Sequence, residues 1–168
     1  MISDKIRDVL NEQINKEFYS AYLYLSMSAY FSEIGLYGFS NWCKVQSKEE
    51  IDHGMILFEY VLGRNSQIHL GQISDPSFEL SSPLEVFEQI YNHEKLITDA
   101  IACAARMAEG ECDLATRNFI DWYLSEQIEE EAKISRIILK LKTFGTEKSA
   151  LYLIDRDLIA REYSPAKY

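Results

Sequence analysis

A chain of 168 residues, 47% of them apolar, has the size of one domain that buries about two thirds of its unfolded surface, and this balance excludes a disordered chain. No run reaches the roughly 18 uninterrupted apolar residues of a membrane span, and a formal net charge of −10 excludes the basic footprint that nucleic acid or an anionic membrane requires, while suiting cations. Cys43, Cys103 and Cys112 form no C-x-x-C pair, which excludes a disulfide framework and a thiolate zinc site and suits a reducing compartment.

The opening Met1-Ile2-Ser3-Asp4-Lys5 lacks the basic-then-apolar profile of a secretory signal, so the expected location is the cytosol. Turn signals are few: Gly35 and Gly38, Gly63, the segment from Asn65 to Ser82, Gly110 and Gly145. Between them, apolar residues recur at three- and four-residue spacing without proline. The pattern predicts an all-α chain, one domain over 1–168, with helices at about 4–33, 38–63, 83–109 and 112–143 and a short fifth at 147–161. The third helix has the clearest start: Ser82-Pro83-Leu84-Glu85 joins an N-cap serine, a proline at the first helical position and a capping-box glutamate. Gly110 and Gly145 stand where the third and fourth helices should stop.

Loop lengths set the topology. Short links make the first and second helices antiparallel neighbours, and likewise the third and fourth. A helix of about 27 residues is roughly 40 Å long, whereas the segment from Arg64 to Ser82 can extend about 60 Å. One long crossover can therefore run the length of the bundle and make the second and third helices parallel. The predicted order is up-down-down-up.

Each long helix has an inward face that is apolar at both ends and polar near its middle. The middle carries Gln13, Glu17 and Ser20 on the first helix and Gln46, Glu50 and His53 on the second. It carries Glu94 on the third, and Gln127 with Glu130 on the fourth. Midpoints coincide whichever way a helix runs, so four carboxylates are expected at one height in the core. No lysine or arginine lies on those faces at that level. Buried carboxylates are too costly to leave ionised and unpaired. Two divalent cations would balance them; the rival is a set of protonated, mutually hydrogen-bonded glutamates. Glu50-x-x-His53 places a carboxylate and an imidazole on one face, and oxygen ligands with a single imidazole suit iron or manganese. The spacing predicts Glu17, Glu50 and His53 at one metal, with Glu50 bridging to a second held by Glu94 and Glu130. Gln127 stands where a second Glu-x-x-His would begin, so the ion should be held loosely and pass through.

Taken together, Glu17, Tyr24, Glu49-Glu50-x-x-His53, Glu94 and Trp122-x-x-x-Glu126-Gln127-x-Glu129-Glu130 resemble the bacterial and archaeal non-haem ferritins, and the likeness spans essentially the whole chain. The resemblance implies a ferritin-like four-helix bundle that stores iron. It would oxidise Fe²⁺ with O₂ or H₂O₂ at a di-iron centre and deposit a ferric mineral inside a homo-oligomeric cage of two dozen subunits. By that likeness Glu17, Glu50 and His53 form the first iron site and Glu50, Glu94 and Glu130 the second, with Gln127 counted among the metal-site residues. Glu49, Glu126, Glu129 and Glu130 form a third, transit-type site. Tyr24 is implied as an electron donor or a hydrogen-bonding partner of the centre.

Haem is not expected, because Asp52 stands where bacterioferritin carries its methionine ligand. A rubrerythrin would need a pair of C-x-x-C motifs. Two other readings remain: a soluble di-iron oxidase or peroxidase that retains its metals, and a metal-free interaction bundle of the long-crossover cytokine type. Trp122 is expected in core packing, Glu126 and Glu129 have a solvated helix flank as their rival role, and Gly54 is expected at a close approach beside the metals. His69 and His93 carry no assigned role.

Overall fold

Ser3 opens the first helix, α1 (Asp4–Glu33), its Oγ accepting from Ile6 N at 3.2 Å. The computed structural model describes residues 2–77 and 82–168. After α1 come α2 (Tyr37–Gly63), α3 (Pro83–Gly110), α4 (Leu114–Phe144) and α5 (Lys148–Leu158), with no strand among the described residues. The capping box at Ser82 and Glu85 forms as expected, with both reciprocal bonds present.

Two boundaries differ from the sequence expectation by more than one residue. The fourth helix begins at Leu114 rather than 112, because Cys112 takes a left-handed φ of 57° in the turn and Asp113 caps the helix, accepting from Thr116 N at 3.1 Å. The fifth helix stops at Leu158 rather than 161. Asn41 of α2 captures the carbonyls of Ile159 and Arg161 at 3.2 and 2.9 Å, so the chain leaves the helix as a tail laid along α2.

Contacts between helix ends establish the topology. Ser28 near the end of α1 bonds Ser40 near the start of α2, and the Ser3 hydroxyl at the start of α1 donates to Glu111 just beyond α3. Tyr60 near the end of α2 meets Thr116 near the start of α4, and Lys142 near the end of α4 pairs with Glu88 near the start of α3. α2 and α3 therefore run parallel, and the bundle is up-down-down-up. Two asparagines one turn apart on α1 tie down the crossover. Asn11 exchanges bonds with Gln67 O and His69 N at 2.9 and 2.8 Å, and Asn15 does so with His69 O and Gly71 N at 3.0 and 2.7 Å.

α2 has no side-chain cap of its own. Asp155 of α5 supplies one, its Oδ1 accepting from Gly38 N at 2.8 Å and Phe39 N at 3.0 Å. Only glycine fits there: a Cβ on residue 38 would lie 1.6 Å from Asp155 O.

The core falls into two apolar parts. One, with Tyr24, Phe31, Phe39, Trp42, Phe87 and Ile154, lies where α5 closes the bundle. The other, with Ile6, Leu10, Leu57, Val61, Phe119 and Tyr123, fills the opposite end. Between them lies a belt of buried polar residues: Gln13, Glu17, Gln46, Glu50, His53, Glu94, Gln127 and Glu130. No described helix is long and apolar enough to cross a membrane.

Candidate metal centre

Three-residue spacing on α2 aims Glu50 and His53 at the same point, and Glu17 of α1 meets them there. Each of the three offers a ligand atom, those atoms all lie within 4.8 Å of one another, and all three side chains are buried. His53 Nδ1 stands 3.4 Å from Glu50 Oε2. The back of the imidazole is fixed by aromatic edges: Trp122 and Tyr123 lie 5.8 and 6.1 Å from its ring, and the Tyr123 hydroxyl donates to His53 O at 2.7 Å. Trp122 is only part-buried and packs against the edge of the core beside a site residue.

Glutamines one turn ahead of the glutamates orient them. Gln13 donates to Glu17 Oε1 at 2.8 Å. Gln46 donates to Glu50 Oε1 at 2.9 Å and across the bundle to Glu130 Oε2 at 2.8 Å. On the far side Glu94 accepts from Tyr24 OH at 2.5 Å and from Gln127 Nε2 at 3.1 Å. Among the described residues, Glu17 Oε2 is the buried side-chain oxygen left without a hydrogen-bond partner. A buried carboxylate oxygen in that condition calls for a cation or a proton.

Burial and neighbouring charge act differently on each member of the ring. Burial first, and then the charge of Glu50, push the Glu17 carboxyl up to about 8. The same two causes hold Glu94 well above the usual carboxylate range. Burial opposes the charging of Glu50 too, but its hydrogen bond to His53 and the charge on that ring outweigh the penalty and hold it low. For His53, burial acts downward and is overcome by the hydrogen bond and charge of Glu50, which push the imidazole up to about 10. A hard divalent ion entering this oxygen-rich, single-imidazole set must therefore displace protons.

Comparison with known proteins agrees with the helical fold that carries this geometry. Residues 7–144 match the family model of the ferritin-like domain. The chain belongs to the ferritin family.

Its similarity to a bacterial non-heme ferritin of Campylobacter jejuni is 40% identity over 156 residues, 93% of each chain. With one from Bacteroides fragilis it shares 37% over 158 residues, 94% of this chain and 98% of that one. Among solved structures, the open-pore ferritin of the hyperthermophilic archaeon Archaeoglobus fulgidus superposes with a TM-score of 0.95 at 47% identity, covering 96% of this chain and 99% of that one.

The structure of this ferritin also corrects one sequence expectation. Cationic side chains do reach the carboxylate level. Lys133, rooted off the inward face of α4, brings its Nζ to 2.7 Å from Glu130 Oε1, as long amphipathic side chains can. Arg161 of the tail brings Nη2 to 2.6 Å from Glu49 Oε2. Glu49 is largely buried and already ion-paired, Glu126 is part-buried and Glu129 is exposed; these three, like Glu94 and Glu130, lie outside the compact Glu17–Glu50–His53 group. Burial raises both Glu49 and Glu126, and each feels the charge of Glu130. Gly54 marks a close approach beside Glu17: a Cβ there would lie 2.7 Å from the Phe18 ring. His93, unassigned from sequence, bonds Ser20 Oγ at 2.7 Å. A local signal existed for Gln46, which precedes Glu50 by four residues as Gln13 precedes Glu17. None existed for Arg161, which arrives from 112 residues away.

Proposed function

We propose that this chain is an iron-storage ferritin with ferroxidase activity, oxidising Fe²⁺ at a paired site and passing Fe³⁺ into a mineral enclosed by a cage of its own copies in the cytoplasm. The observation that carries the reading is the buried Glu17–Glu50–His53 group with its one unpartnered carboxylate oxygen. Iron storage and ferroxidase chemistry belong to the family; the residue roles are our assignment. Glu17, Glu50 and His53 take the first ferrous ion. Glu50, Glu94 and Glu130 take the second, with Gln127 fixing Glu94. A pair held roughly 3.5–4 Å apart lets O₂ or H₂O₂ draw one electron from each ion. Hard anionic oxygens favour the ferric product. Tyr24 orients Glu94 through its hydrogen bond. Glu49, Glu126, Glu129 and Glu130 line the way out as a transit site, and the order of release from one carboxylate set to the next gives iron its direction.

Aerobic addition of Fe²⁺ to purified protein, followed by sizing, tests this. The expected result is an amber ferric absorbance on a particle near two dozen times the 19.5 kDa chain mass. Uptake that stops at about two ions per chain, as a two-metal site that keeps its ions would give, overturns the storage reading in favour of a retained di-iron oxidase.

A further inference from the structure

Beyond α5 the chain does not wander off. Asn41 holds Ile159 and Arg161 by their carbonyls at 3.2 and 2.9 Å. Tyr163 OH and Ala166 N both donate to Asp52 Oδ2, at 2.7 and 3.0 Å. The Tyr168 ring packs on Phe119 and Trp122 of α4, with centroids at 4.9 and 6.1 Å. The tail therefore follows α2 past the level of the centre and then crosses to α4. It covers a wide seam: among the described residues no α2 Cα lies within 8 Å of an α4 Cα.

At the centre's height the tail inserts Arg161. Its guanidinium lies 4.6 Å over the Trp42 ring and donates to Gln46 Oε1 at 2.8 Å and Glu49 Oε2 at 2.6 Å. The Arg161 and Glu49 side chains are only 16% and 14% exposed. Gln46 is the amide that spans Glu50 and Glu130. Arg161 is thus one amide away from both halves of the pair, it sets which way that amide faces, and it puts a fixed positive charge in the seam. A metal ion crossing there meets repulsion and a filled carboxylate.

We propose that residues 159–168 form a latch over the α2–α4 side of the metal centre, with Arg161 as its bolt: the guanidinium must leave Glu49 and Gln46 before cations pass through that seam. This rests on the paired-site reading above and adds its regulation. Release of Arg161 also frees Glu49 to receive a cation, which couples opening of the tail to onward movement of the ion.

The test uses the full-length protein loaded anaerobically with Co²⁺ and then mixed rapidly with excess EDTA, the loss of the cobalt visible bands giving the stripping rate. Arg161→Ala removes charge-assisted bonds of a kind that each hold about tenfold or more in the closed state, so its cobalt should be stripped at least about tenfold faster than wild type. Arg161→Lys, which keeps the charge but not the fork, should fall between the two. Tyr163→Phe releases the tail from Asp52 without touching the carboxylate ring and should also accelerate stripping, by a few-fold. Wild-type rates in both Arg161→Ala and Tyr163→Phe overturn the latch. If Arg161→Ala fails to fold, Tyr163→Phe decides alone, a wild-type rate again overturning it. If wild-type protein takes up no Co²⁺ that Glu50→Ala abolishes, the paired-site reading has failed and the latch falls with it.

Discussion

Tyr24 donates to Glu94 across the bundle at 2.5 Å, joining the apolar end of α1 to the carboxylate belt. Burial, and then the charge of Glu94, keep the phenol protonated, so it acts as a donor. Tyr24→Phe removes that donor from a buried carboxylate. Denaturant melts should show a loss of about 1–3 kcal/mol. Stopped-flow ferroxidation should slow, but less than on loss of a ligand, since Gln127 still holds Glu94.

Glu50 and His53 give the sharpest test of the centre. Glu50→Ala or His53→Ala should slow aerobic Fe²⁺ oxidation by more than about 100-fold, exceeding the cost of losing a mere supporting partner. Far-ultraviolet circular dichroism should stay helical, because both residues lie in a belt flanked by two intact apolar clusters. Wild-type ferroxidation in either variant would refute the assignment.

The stability of cation-free protein should fall as pH rises. Glu17 keeps its proton to about 8 against an ordinary 4.5, and His53 to about 10 against 6.5. The folded chain then binds more protons than the unfolded chain across those windows, so the stability these groups lend is complete below the ordinary values and lost through the raised ones. Glu50, held low, has the opposite sign, and its contribution disappears only in acid below its ordinary 4.5. Thermal melts in chelator should show Tm declining from about pH 5 to about pH 10. Saturating Mn²⁺ should flatten the decline, because the ion replaces the protons.

Asp155 and Gly38 join α5 to the start of α2. Asp155→Ala removes the cap and should cost about 0.5–2 kcal/mol. Gly38→Ala forces α5 away from Asp155 O and should cost about 1–3 kcal/mol as overpacking. The double variant should lose less than the sum, since each change already breaks the same junction. Additive losses in a denaturant double-mutant cycle would show that the two act independently.

Much of this was legible in the order of residues. Three- and four-residue spacing of apolar side chains marks the long helices, because a helix buries one stripe and that stripe must repeat. Ser82, Pro83 and Glu85 mark the start of α3 because capping is local chemistry. The carboxylate belt followed from the same periodicity, since Glu17, Glu50, Glu94 and Glu130 occupy core positions at helix midpoints and the bundle brings midpoints together.

What local pattern could not reveal depends on residues far apart in the chain. The ending of α5 at Leu158 was decided by Asn41 capturing the carbonyls beyond it, and the cap of α2 came from Asp155. The crossover is held by Asn11 and Asn15, whose partners lie more than fifty residues away. Arg161 reached Glu49 by the same route, whereas Lys133 stands three residues from Glu130 on α4 and pairs with it locally. By itself the sequence determined the helices, their order and the ring of acidic ligands, because periodicity and loop reach are properties of neighbouring residues. Only the tertiary structure decided that Arg161 stands against that ring and which face the tail covers, because a contact between residues distant in the chain depends on separation in space.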